Sequence, residues 1–133
     1  MNKQIKRLVY VVALVSGALS LVFELNTVLS ILLFLFSMVY LFLGWLLLNP
    51  ERTKKFDFVY FFVGYFFSTS FIALFFNIRD YPLKELFLYA SVGMLVFALV
   101  LIMALDRARK KPVAENAVKI VLLLGVVAAG IFV

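Results

Sequence analysis

Five stretches of this chain are long, apolar and almost free of charge, and nothing constrains its fold more. They are Leu8–Phe23, Thr27–Leu48, Phe58–Phe76, Leu86–Leu105 and Val118–Val133, with 16, 22, 19, 20 and 16 residues. Together they account for 93 of the 133 residues, and 19 of the 20 charged side chains fall in the 40 that remain. The exception is Lys119, at the edge of the last stretch. A hydrocarbon layer of ~30 Å needs about 20 helical residues, with roughly 17 as the lower bound. The middle three stretches meet that length outright. In such a layer the backbone must bond to itself, so each stretch is read as an α-helix.

Composition excludes the other solvents. The chain is 66% hydrophobic and 15% charged, against about 45–50% and about 25% in ordinary soluble domains. A soluble domain of this size exposes too much of its surface to hide that much apolar material. Disordered chains are poor in aromatics, which make up 17% here. With no cysteine, disulfides, thiolate metal sites and thiol nucleophiles are excluded. The absence of histidine removes the commonest general base and metal ligand. No cofactor or metal is expected.

The first and last stretches are short, and their flanks extend them. Lys6 and Arg7 can snorkel, which lets Gln4 and Ile5 join the first helix. A signal peptide is the rival reading, with Ala18-Leu19-Ser20 as a loose cleavage site; the segment is read here as a membrane helix. Ala117 and a snorkelling Lys119 lengthen the last one. An interfacial helix needs a polar face, and Ile120–Val133 has no charged or hydroxyl side chain, so spanning is preferred. If the last stretch does not span, the count falls to four.

Charge then sets orientation. Lys3, Lys6 and Arg7 precede the first stretch, Arg52, Lys54 and Lys55 follow the second, and Arg107, Arg109, Lys110, Lys111 and Lys119 precede or open the fifth. With five crossings, these 11 of the 13 basic residues share one face, while Arg79 and Lys84 oppose Glu24, Asp80 and Glu85 on the other. The positive-inside rule gives an N-in, C-out topology. The basic residues thereby set topology and meet anionic headgroups, and no nucleic-acid partner is expected. Tyr10, Trp45, Tyr60 and Tyr89 fall near segment ends, where amphipathic rings favour the headgroup level; Tyr40 and Tyr65 lie deeper.

No charged residue lies near the middle of a segment, so the usual mark of ion coupling or proton relay is missing. Glu24-Leu25-Asn26 reads as a tight turn after helix one, and Asn49-Pro50 as the stop of helix two. Asp57, Asp80, Glu85 and Asp106 sit at interfaces without the pairing a catalytic set needs. Uncharged polar groups are more suggestive. Counted at ~1.5 Å per residue, Tyr40 and Tyr65 lie ~11–12 Å deep, Ser37, Ser68 and Thr69 ~15–17 Å, Ser20 and Ser70 ~18 Å, and Ser16 ~12 Å. Tyr65, Ser68 and Thr69 share a face, as do Ser37 and Tyr40, and the two faces can meet. The band is either a polar path or ordinary hydrogen bonding between and within helices.

Small residues form a second pattern, because packing rather than hydrophobicity brings helices together in lipid. Ala13/Gly17, Ser16/Ser20, Gly64/Ser68 and Gly125/Ala129 are spaced by four, and Ser30, Ser37 and Gly44 by seven. The fifth stretch is the best candidate to face a partner. The phenylalanines of the third, at 58, 61, 62, 66, 67, 71, 75 and 76, surround their helix.

The expected fold is therefore an all-α polytopic bundle of five transmembrane helices, one domain over residues 1–133, in a prokaryotic cytoplasmic membrane. The expected function is that of a noncatalytic membrane protein acting by helix packing, as an accessory subunit or a homo-oligomer. The alternative is a transporter or channel for a neutral or hydrophobic solute, lined by the Ser/Thr/Tyr band. A lipid-modifying enzyme ranks third.

Overall fold

The structure is a computed structural model and describes residues 3–22, 27–47, 58–79, 82–106 and 114–132. Among these, five α-helices follow one another: α1 (Lys3–Ser20), α2 (Thr27–Leu47), α3 (Phe58–Ile78), α4 (Lys84–Leu101) and α5 (Ala114–Phe132). A π-turn, Ile102–Asp106, prolongs α4. No described residue is in a strand. Three helices are long and apolar enough to cross a membrane: Thr27–Gly44, Phe58–Ile78 and Lys84–Leu105. Asn116–Phe132 is apolar but shorter. The described residues thus form an all-helical bundle with three helices able to span a membrane.

Helices α1, α4 and α5 begin before their apolar stretches do. The hydrophobic pattern marks what lipid can accept, whereas a helix continues through Lys3, Lys6 and Arg7, or through Glu115 and Asn116, wherever backbone bonds can close. The Glu24-Leu25-Asn26 turn, the Asn49-Pro50 stop, the basic residues at 52–55 and 107–111, Asp57, Asp80 and Tyr81 lie outside the described residues, as does the side chain of Trp45.

Helix α3 is the centre. It packs against all four others, and α2, α1, α5 and α4 follow one another around it. Its small residues explain how it can be so crowded. On the α2 side Gly64 and Ser68 alternate with Phe67 and Phe71, so large rings fill the space beside close backbone approach. On the α4 side Phe66 meets Phe97 and Phe76 meets Phe87, edge to face at 5.9 and 4.6 Å between ring centres. Leu74 points toward α1 and α5, near Gly17 and Gly130.

The contacts also fix direction. Along α2 and α3 the pairs Phe34–Phe75, Tyr40–Phe67 and Gly44–Gly64 run in opposite senses, as in an antiparallel hairpin. Helices α1 and α5 instead run in parallel. Tyr10 meets Lys119, Gly17 faces Val126 and Leu21 faces Gly130, each pair 109 residues apart. Helix α5 therefore lies beside α1 from one end to the other.

Candidate functional site

The hydroxyl band is spread over several seams. Ser16 donates to the Val12 carbonyl at 2.9 Å and Ser20 to that of Gly17 at 2.6 Å, both within α1. In α3, Thr69 donates to Tyr65 at 3.1 Å and Ser70 to Phe66 at 2.9 Å. Back-bonding of this kind satisfies a hydroxyl in apolar surroundings without a partner helix. Ser37 and Ser68 do meet across the α2–α3 seam, with their oxygens 3.3 Å apart.

Around that pair the band divides. Tyr40 is buried, its ring stacked on Phe71 and tilted against Phe67, at 5.6 and 5.3 Å. Tyr65 turns outward and is 44% exposed. The α2 and α3 faces thus meet through Ser37, Ser68 and Tyr40, while Tyr65 looks away. Ser91 of α4 supplies a link the sequence reading did not include, donating to the Thr69 carbonyl at 3.4 Å. Among the described residues, every buried side-chain nitrogen and oxygen has a hydrogen-bond partner.

The Ser37–Ser68 bond is a contact between two neutral groups, and in membranes such contacts average ~0.6 kcal/mol. Ser37→Ala and Ser68→Ala should each lower stability by about that amount, and the double variant should cost little more than either. A double-mutant cycle read from unfolding in mixed micelles measures the coupling. A coupling near ~2 kcal/mol would make the pair a specific polar site instead of a packing contact.

The small residues divide between inside and outside. A Cβ built on Gly44 would stand 2.6 Å from the Gly64 Cα, and one on Gly64 would stand 2.8 Å from the Gly44 Cα and from the Tyr40 carbonyl oxygen. Real atoms do not approach so closely, so glycine at both positions is what permits this crossing. Gly17 lies against Leu74 and Val126, and Ser30 is buried. Gly125 has nothing within 4 Å of its would-be Cβ, and Ala129, one turn on, is exposed. Gly93 on α4 is equally open.

One cluster was not foreseen. Lys6 and Lys119, expected to snorkel toward water, are only 8% and 6% exposed, and Asn116, three residues before Lys119, is buried too. The Tyr10 hydroxyl donates to the Lys119 carbonyl at 2.6 Å, and the Lys119 Nζ lies 5.5 Å from the centre of the Tyr10 ring, in cation–π range. Tyr10 and Tyr60 both turn inward, so neither joins a headgroup belt, whereas Tyr89 is exposed. The sequence did hold a signal: Lys119 is the one charge inside an apolar stretch, and Lys6 and Tyr10 are one helical turn apart.

Fold and site together define the class, an all-helical bundle with three helices able to span a membrane, in which Ser16, Ser20, Thr69 and Ser70 bond to carbonyls of their own helices. Comparisons with protein-family models, with curated proteins and with solved structures found no match for this chain.

Proposed function

We propose that this protein is a small noncatalytic multi-pass membrane protein that acts through helix packing, as an accessory subunit or a homo-oligomer. The observation that carries the reading is the outer face of α5. There Gly125 and Ala129 are exposed at four-residue spacing, flanked by exposed Val121 and Leu122, and nothing stands within 4 Å of a Cβ at Gly125. Small residues on a lipid-facing stripe let another helix approach closely. The solute-path reading gains no comparable support, because Ser16, Ser20, Thr69 and Ser70 of the band are held by carbonyls of their own helices.

We read the topology as five crossings, N-in and C-out, in a prokaryotic cytoplasmic membrane. The end-to-end parallel run of α5 beside α1 supports the fifth crossing. Gathering 11 of 13 basic residues on one face supports the orientation.

The test is the mass of the particle after mild extraction from its native membrane, for the wild type and for Gly125→Leu. The wild type should be heavier than one chain. Gly125→Leu should shed the partner or dissociate the oligomer, lowering the association constant about tenfold or more by removing close backbone contact. Its unfolding midpoint as a single chain should not change. A wild type that is already a lone chain, or a Gly125→Leu particle of unchanged mass, would sink the reading.

A further inference from the structure

We propose that α5 crosses the membrane conditionally: it is held across by the side of α1 that carries Tyr10, and without that clasp it lies at the surface. The inference rests on the five-crossing reading of the topology and makes no use of the outer face of α5. Three helices are long and apolar enough to span by themselves, and neither α1 nor α5 is among them. In α5 the stretch free of polar side chains, Ile120–Phe132, covers only ~20 Å of a ~30 Å layer. To reach across, the helix must draw Lys119 and Asn116 below the headgroups, where a charge or an amide is costly against lipid.

The bundle removes that cost by the way the helix faces. Lys119 and Asn116 are both buried, and neither is without a partner in the chain. Over the same turns α5 shows Val118, Val121 and Leu122 to the outside. Lipid meets an apolar surface there, while the polar groups are turned inward. Helix α1 supplies the inner wall. The Tyr10 ring lies 5.5 Å from the Lys119 Nζ, and the Tyr10 hydroxyl donates to the Lys119 carbonyl at 2.6 Å. Tyr10 in turn packs on Phe67 of α3, at 6.4 Å between ring centres, so the clasp is complete only once α1 is seated on the central helix. A helix that hides its polar side chains only in a formed seam is stable in the bilayer only with that seam, and packing is what brings helices together there.

The chain has no cysteine, so single thiols report sidedness. Ala108→Cys marks the α4–α5 connection and Val133→Cys the C-terminal end. Each full-length chain is labelled with a membrane-impermeant maleimide in sealed vesicles of known orientation. With Tyr10 in place the two thiols should label from opposite sides. Adding Tyr10→Ala should raise the fraction of Val133→Cys chains labelled from the Ala108→Cys side about tenfold, the factor expected for one hydrogen bond and its ring contact. Adding Lys119→Leu as well should restore the crossing, because α5 is then apolar enough to span unaided. Opposite-side labelling that survives Tyr10→Ala overturns the proposal and leaves the five crossings intact. A loss that Lys119→Leu does not restore also overturns it, since Tyr10 then acts on folding at large. If the two thiols label from one side with Tyr10 in place, the five-crossing reading itself fails and this inference with it. Should Tyr10→Ala not fold, Tyr10→Phe takes its place in the same comparison; it keeps the ring, removes only the hydroxyl, and overturns the proposal if labelling is unchanged.

Discussion

Gly44→Leu should disrupt the α2–α3 pair, with a loss of about 3 kcal/mol or more, at or beyond the upper end of what overpacking usually costs. A Cβ at this position already falls 2.6 Å from the Gly64 Cα and 3.5 Å from its carbonyl carbon. Both obstacles are backbone, so no rotamer change relieves them. The helices must separate, and separation also breaks the ring stack of Tyr40 on Phe71 and the Ser37–Ser68 bond farther along the seam. Gly64→Ala meets backbone at 2.8 Å from two directions and should do the same with a single methyl group. Gly93→Leu supplies the comparison, since nothing lies within 4 Å of its Cβ; it should shift the single chain's unfolding by only a few tenths of a kcal/mol. Unfolding of each variant in mixed micelles, followed by helical signal, measures the difference. Equal midpoints for Gly44→Leu and Gly93→Leu would show that the close crossing is not what holds α2 to α3.

The same glycines show how far the sequence could be read. Five helices were legible because lipid tolerates so few backbone solutions that 16 to 22 apolar residues between charges leave little else. Spacing also marked Ser30, Ser37 and Gly44 as one stripe, and all three are buried. What spacing could not supply was the partner of each stripe. Gly44 and Gly125 look equivalent in sequence, yet one is pressed against Gly64 and the other is open. That distinction depends on the order of helices around α3, which is a property of the whole packing and not of any one segment.

The lysines failed for a related reason. Charge at a helix end reads as a topology signal, but whether a side chain turns outward or into a seam depends on the neighbour's register. Lys6 and Lys119 face inward because α1 and α5 run parallel with their N-terminal ends level. The hydroxyl band was legible as a shared depth. Its division between Ser37–Ser68 contact and an outward Tyr65 was not, because depth along a helix says nothing about rotation relative to the next one.

Phe67→Ala should be the most damaging truncation in the bundle, costing about 3–5 kcal/mol, the range seen when buried phenylalanine is cut back in protein cores. Phe67 is fully buried at the centre of α3, with Tyr10 of α1 at 6.4 Å and Tyr40 of α2 at 5.3 Å between ring centres. Removing the ring takes a wall from both tyrosines at once. Tyr10 then loses the packing that holds its hydroxyl on the Lys119 carbonyl, so a change on α3 loosens α5 through α1. Burial and position, more than ring chemistry, set this cost: Phe67→Leu keeps much of the volume and should recover more than half of it. Phe62→Ala, on the same helix but about half exposed, should cost less than ~1 kcal/mol, because lipid chains can fill the space it leaves. Unfolding in mixed micelles ranks the three variants. Proteolysis after the α4–α5 connection adds a second readout, since only Phe67→Ala should make α5 easier to release. If Phe67→Ala and Phe62→Ala unfold alike, α3 is not the hub through which α1, α2 and α5 are joined.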